Sequence, residues 1–116
     1  LDSLKFARFI VDAIEDKKGE NITLLDLRPD ALMADFLIIA NGSSDRQLRA
    51  LTDHVQSTVK ETFRSRPYAV DGTPRSGWVL LDFGDVVVNL FTEDERDYYD
   101  LEGLWRDRSQ VLLSIQ

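Results

Sequence analysis

Apolar residues recur three and four apart along the first seventeen positions, where Phe6, Ala7, Ile10, Val11 and Ile14 form a single stripe. That spacing predicts an amphipathic helix with one buried side. Asp2 or Ser3 is placed to cap its start, Lys17 and Lys18 suit the negative end of its dipole, and Gly19 is expected to end it. The period then changes. Ile22 to Leu27 reads as a strand closed by Arg28-Pro29-Asp30. Phe36-Leu-Ile-Ile-Ala40 is an unbroken apolar run of strand length, the pattern of a strand covered on both faces. Asn41-Gly42-Ser43 turns the chain into a second helix, whose start is marked by Ser44 and Gln47 in the capping pattern S-x-x-Q. Leu48, Leu51, Val55, Val59 and Phe63 are its buried stripe, and Arg64-Ser-Arg-Pro67 stops it. A short strand is predicted around Tyr68 to Val70, followed by a loop through Gly72, Pro74 and Gly77.

The clearest alternation lies in Trp78-Val-Leu-Leu-Asp-Phe-Gly-Asp-Val-Val-Val-Asn-Leu-Phe91. It predicts a β-hairpin with a two-residue turn at Phe83-Gly84, Gly84 supplying a positive φ. One face collects Val79, Leu81, Val86, Val88 and Leu90 and belongs in a core. The other collects Trp78, Leu80, Asp82, Asp85, Val87, Asn89 and Phe91. On it Asp82 and Asp85 are expected to stand opposite one another, where like charges repel. A face that keeps such a pair beside aromatic rings suits a positively charged partner. Thr92-Glu-Asp-Glu95 is a second capping pattern, opening a short helix with Tyr98 and Tyr99. Asp100-Leu-Glu-Gly-Leu-Trp105 follows as a further helical turn, with Leu101 and Leu104 expected to pack inward. The aromatics of this run, with Trp78, are residue types that dominate protein interfaces.

The element order predicts one mixed α/β (α+β) domain over residues 1–106, a central mixed sheet flanked by helices, with a C-terminal tail at 107–116. The strand–helix–strand passage from Phe36 is expected to make one right-handed crossover. A length of 116 residues suits a single domain. The formal net charge of −7 disfavours phosphate binding, so little direct nucleic-acid contact is expected and a basic protein partner is favoured. There is no cysteine, which excludes disulfides and thiolate chemistry and fits a reducing cytoplasm. No apolar run reaches membrane-spanning length, and no basic-then-apolar leader precedes the first helix, so no secretory signal is expected.

Candidate chemistry is sparse. His54 is the only histidine, so a zinc site lacks ligands. Asp82 and Asp85 could hold magnesium, and the Gly42-Ser43-Ser44 turn could cradle a phosphate. Together these features resemble the nucleotidyltransferase fold. That family sets its two acids two positions apart on one strand, whereas here they lie three apart around a turn, and Asp45 adds the wrong charge. A nucleotide- and magnesium-binding enzyme is therefore the alternative reading, and no catalytic residue, metal or cofactor is expected. Ser43 and Ser44 have no histidine base in sequence context. Arg46, on the first turn of the second helix, opposes the dipole and is either a solvated charge or reaches something specific.

Three blocks, Asp35-Phe-Leu-Ile-Ile-Ala-Asn-Gly-Ser-Ser-Asp-Arg-Gln47, Trp78-Val-Leu-Leu-Asp-Phe-Gly-Asp-Val-Val-Val88 and Tyr99-Asp-Leu-Glu-Gly-Leu-Trp105, resemble the signature blocks of the ribosomal silencing factor family, also called Iojap-like. The similarity runs from Leu4 to Trp105 in the same order and spacing. It implies a nucleotidyltransferase-like fold without known catalytic activity. It also implies binding to large-subunit ribosomal protein fourteen, on the face that meets the small subunit, so that subunit joining is blocked and translation is repressed when nutrients are short. Carried over residue by residue, the partner-binding positions are Arg46 and Gln47 in the first block and Trp78, Asp82 and Asp85 in the second. In the third they are Tyr99, Leu101, Glu102, Leu104 and Trp105. Trp78, Leu104 and Trp105 are expected as apolar anchors, and Asp82, Asp85 and Glu102 as partners of lysines or arginines. A homodimer contact through the same face, off the ribosome, is a further expectation. The sequence departs from the family at Asn89, where histidine is usual, and at Gly103, where a longer residue is common. The glycine is expected to loosen its helical turn by up to about 1 kcal/mol.

Overall fold

A computed structural model describes residues 2–29 and 34–116. The chain runs through α1 (Ser3–Asp16), β1 (Glu20–Asp26), β2 (Phe36–Gly42), α2 (Asp45–Phe63), β3 (Ala69–Thr73), β4 (Trp78–Asp82), β5 (Val86–Thr92), α3 (Glu93–Tyr99), α4 (Leu101–Trp105) and β6 (Gln110–Ile115). The strands make one mixed sheet in the order β3-β4-β5-β2-β1-β6. β2 and β5 pair in parallel at its centre, and the other pairings are antiparallel. Every residue of β2 is buried, as its unbroken apolar run requires. The expected α+β fold, a mixed sheet flanked by helices, is the one observed.

α1 and α2 lie on one face. Their stripes close over Ile38, Val79, Leu81, Val88 and Leu90 to form the main core. Ile10, Ile14, Leu48 and Leu51 have no exposed surface, and each side chain so buried contributes about 1.5–3 kcal/mol. Phe63 meets Phe6 and Phe9 edge-on at 5.0 and 4.9 Å, locking the end of α2 over the start of α1. Asp2 caps α1 by accepting from the amides of Leu4 and Lys5. The left-handed residue after α1 is Lys18, not Gly19. Glycine is needed at 19 for space, since a Cβ there would lie 2.3 Å from Ile14 Cγ2.

Three further local expectations are corrected. The hairpin pairs Asp82 with Val87, not with Asp85. Asp82 Oδ1 accepts the Gly84 N–H at 2.8 Å, and the Phe83 N–H donates to the Val86 carbonyl at 2.9 Å, so residues 83–86 make the turn. The longer turn lets Phe83 enter the main core and meet Phe6 edge-on at 5.4 Å. Because the slip is two positions, both faces keep their expected side chains except Asp85, which moves into the turn. Thr92 is the residue before α3, as expected, but its hydroxyl makes no cap bond. Residues 110–115, read from sequence as tail, form the edge strand β6 beside β1. Asp30, in the expected turn after β1, lies outside the described residues.

Candidate partner-binding site

Among the described residues, the second face of the sheet is only partly covered. Alternation in β4 and β5 sends Trp78, Leu80 and Asp82 to this face beside Val87, Asn89 and Phe91. Trp78 stacks on Phe91, its cross-strand neighbour, at 5.0 Å. Its indole N–H donates to Asn89 Oδ1 at 2.9 Å. Asn89 is 1% exposed, so the bond satisfies an amide oxygen that would otherwise be buried unpaired. Tyr99, at the end of α3, lies 4.4 Å from Trp78. Leu101 and Trp105 from α4 pack at the margin of a second cluster that includes Leu37, Ile39, Val87 and Phe91.

Beyond these contacts, apolar surface faces outward. Tyr98 is 79% exposed, Leu104 62% and Tyr99 45%. The expectation that both leucines of α4 pack inward holds for Leu101 alone. Between Trp78, Leu80, Tyr99 and Asp71 lies an open recess of about 350 Å³. In the β3–β4 pairing Asp71 stands opposite Leu80, and Ala69 opposite Asp82. Asp71 and Asp82 are therefore diagonal neighbours on one face, about 7–8 Å apart. The acidic pair of this surface is Asp71 with Asp82, and Asp85 sits exposed on the turn.

α3 and α4 are held to the sheet by Arg96, which is 8% exposed. Its guanidinium donates to Asn41 Oδ1 at 2.8 Å, to Thr23 Oγ1 at 3.2 Å and to the Asn21 carbonyl. It also donates from Nε to Glu102 Oε2 at 3.0 Å, with Nη2 2.9 Å from the same oxygen. The sequence reading missed Arg96. Its signals were a lone cation within Glu93-Asp-Glu-Arg-Asp97 and a polar Asn41 closing an apolar strand. Asp100, in the left-handed region at φ 46°, breaks α3 from α4 and caps α4 by accepting the Gly103 N–H.

The sequence-predicted residues do not converge on one patch. Trp78, Tyr99, Leu101, Leu104 and Trp105 share the second face and its α4 border. Asp82 is four residues along β4 from Trp78, about 13 Å away. Arg46 and Gln47 begin α2, which packs on the opposite face. Arg46 is exposed. Gln47 is engaged locally, where its side chain accepts from the Ser43 N–H and donates to the Lys17 and Lys18 carbonyls, the latter at 2.8 Å. With Ser44 Oγ accepting the Gln47 N–H at 3.1 Å, the Ser43 and Gln47 amides of the turn that the alternative reading offered to a phosphate are bonded within the chain.

Comparison with known proteins decides the family. The sequence model described as "ribosomal silencing factor during starvation" matches residues 1–116. The chain belongs to the ribosomal silencing factor family. It is 35% identical over 113 residues to the ribosomal silencing factor of Halalkalibacterium halodurans, covering 97% of this chain and 96% of that one. Against the Bacillus subtilis ribosomal silencing factor the identity is 40% over 95 residues, with 82% and 80% covered. A solved structure of a Chromobacterium violaceum protein superposes with a TM-score of 0.85 at 36% identity, covering 91% of this chain and 88% of that one. The chloroplastic Iojap protein of Arabidopsis thaliana is 31% identical over 99% of this chain, which spans 48% of that longer protein. The family is named for ribosomal silencing, a regulatory rather than an enzymatic role. No described helix is long and apolar enough to cross a membrane.

Proposed function

We propose that this ribosomal silencing factor binds the large subunit through large-subunit ribosomal protein fourteen, using the uncovered half of its second sheet face, and blocks subunit joining by occupying space. The observation that carries this reading is the surface itself: Trp78, Tyr99 and Leu104 offer apolar area, with Asp71 beside Trp78 and Asp82 farther along the same face, on a chain of net charge −7. Half-exposed rings beside carboxylates match a basic protein, the rings supplying affinity and the acids steering encounter. Asp85 and Arg46 lie outside this patch and contribute at its rim or not at all. No bond is made or broken, and the place of action is the cytoplasm.

Sedimentation with purified large subunits tests the proposal, followed by subunit-joining assays with and without the protein. Binding is expected without nucleotide, to weaken with salt, and to slow joining. The pair Asp71→Lys, Asp82→Lys reverses the charge of the face and is expected to weaken binding at least about tenfold, since like charges across an interface cost several kcal/mol. Unchanged binding by a folded double variant would refute the assignment. Calorimetric binding of a nucleoside triphosphate with magnesium would favour the enzyme reading, and concentration-dependent light scattering with no subunit binding would assign the face to a homodimer.

A further inference from the structure

We infer that Arg96 and Glu102 form a brace that positions α4 for the partner, and that Glu102 acts through Arg96 rather than by pairing with a cation of the ribosome. The inference rests on the proposed function and names which residues prepare its surface. α4 is five residues long, and Asp100 breaks it from α3. A helix that short has no stability of its own. Its apolar hold on the sheet comes from Leu101 and Trp105, both only partly buried. Arg96 supplies what the apolar contacts lack. Its guanidinium is anchored to β1 at Asn21 and Thr23 and to β2 at Asn41, leaving Nε and Nη2 to take Glu102 Oε2 from α4. A planar fork with fixed donors sets orientation as well as distance.

The sheet is shaped for this arginine. The β1–β2 pairing is irregular between Glu20 and Thr23, and Asn21 there has φ 49°. The Asn21 carbonyl accepts from Nη1. Asn41, 5% exposed, accepts from the same nitrogen through its side-chain oxygen. The Arg96 side chain is 9% exposed and its guanidinium is engaged by Asn21, Thr23, Asn41 and Glu102, so it offers little surface of its own to a partner. Its effect on binding must pass through α4, which carries the exposed Leu104 and the half-buried Trp105.

The two roles of Glu102 predict opposite results. Arg96→Met removes the brace and leaves the Glu102 carboxylate free for any partner. If Glu102 pairs with the ribosome, this variant binds as well as the wild type. If the brace positions α4, apparent affinity falls in proportion to the fraction of molecules with α4 docked, about tenfold for one-tenth docked. Glu102→Gln keeps an oxygen for Arg96 while removing the charge, and is expected to bind within about threefold of wild type with an unchanged salt slope. Hydrogen exchange on the free proteins gives the independent readout. Amides of residues 101–105 should exchange faster in Arg96→Met while those of α2 keep their protection, a local change that loss of global stability would not produce. Arg96→Lys, which keeps a cation without the fork, replaces the methionine variant if that one does not fold. Wild-type affinity in Arg96→Met, or a tenfold loss in Glu102→Gln with α4 still protected, overturns the brace. Failure of the wild type itself to bind large subunits would instead sink the proposed function, and the brace's role with it.

Discussion

Asn89 shows how one side chain can be tied to its neighbour by a single bond. It lies in β5 between β4 and β2, and its amide oxygen accepts from the Trp78 indole N–H. Trp78→Phe keeps the stacking on Phe91 but strands that oxygen, at an expected cost of about 1–3 kcal/mol in urea denaturation. Histidine, the residue the family resemblance gives at this position, could accept the same bond only when neutral. In Asn89→His the folded-state pKa would lie below the unfolded value of about 6.5. Its stabilisation would be present above that pH and lost as pH falls through the folded value, a dependence the wild-type asparagine lacks, checked by thermal denaturation between pH 5 and 8. Asn21 makes a similar case through the backbone. Its φ of 49° suits asparagine or glycine, so Asn21→Val is expected to cost about 1–2 kcal/mol while Asn21→Gly stays near wild type.

Between elements, short side-chain ties and tight backbone approaches set the geometry. Gln47 joins the end of α1 to the start of α2 through two hydrogen bonds, to the Lys17 and Lys18 carbonyls, and accepts a third from the Ser43 N–H beside it. Within β3, opposite Val79, Gly72 has φ 77° and a Cβ there would lie 2.0 Å from the Trp78 carbonyl oxygen. Gly72→Ala should therefore lose more than about 1–2 kcal/mol and displace Trp78, seen as a shift in tryptophan emission. At the end of β1, the Arg28 guanidinium hydrogen-bonded to Asp26 holds that carboxyl below its usual range. Its lowered folded pKa means the stabilisation is present above the ordinary carboxylate value and lost as pH falls through the folded one. Asp26→Asn should thus lower the urea midpoint at pH 7 and leave it unchanged in strong acid.

At the scale of the molecule, the sheet separates two kinds of surface. One face is sealed by α1 and α2 and supplies the core. Among the described residues, the other is closed by α4 on the β1–β2 side and open over β3 and β4, where Asp71, Asp82, Leu80 and Trp78 face out. An acidic chain with its aromatic face uncovered should associate with a basic surface at a rate that falls steeply with ionic strength. Stopped-flow measurement on large subunits at increasing salt checks this, with the Asp71→Lys, Asp82→Lys pair expected to flatten the dependence.

Helix stripes, the doubly buried β2, the capping residues of α1 and α2 and the two hairpin faces were all legible along the chain, because each depends on a period of two or about 3.6 residues that neighbours impose locally. The three sequence blocks also carried the family. Register, pairing and convergence did not follow from local pattern. Asp82 opposes Val87 because Phe83 turns into the core. Asp71 joins Asp82 because β3 lies beside β4, and Arg96 reaches Asn21, Asn41 and Glu102 across up to 75 positions of sequence. Those contacts exist only once long-range packing has chosen which strands adjoin, and that choice decided which of the acids and rings share a surface.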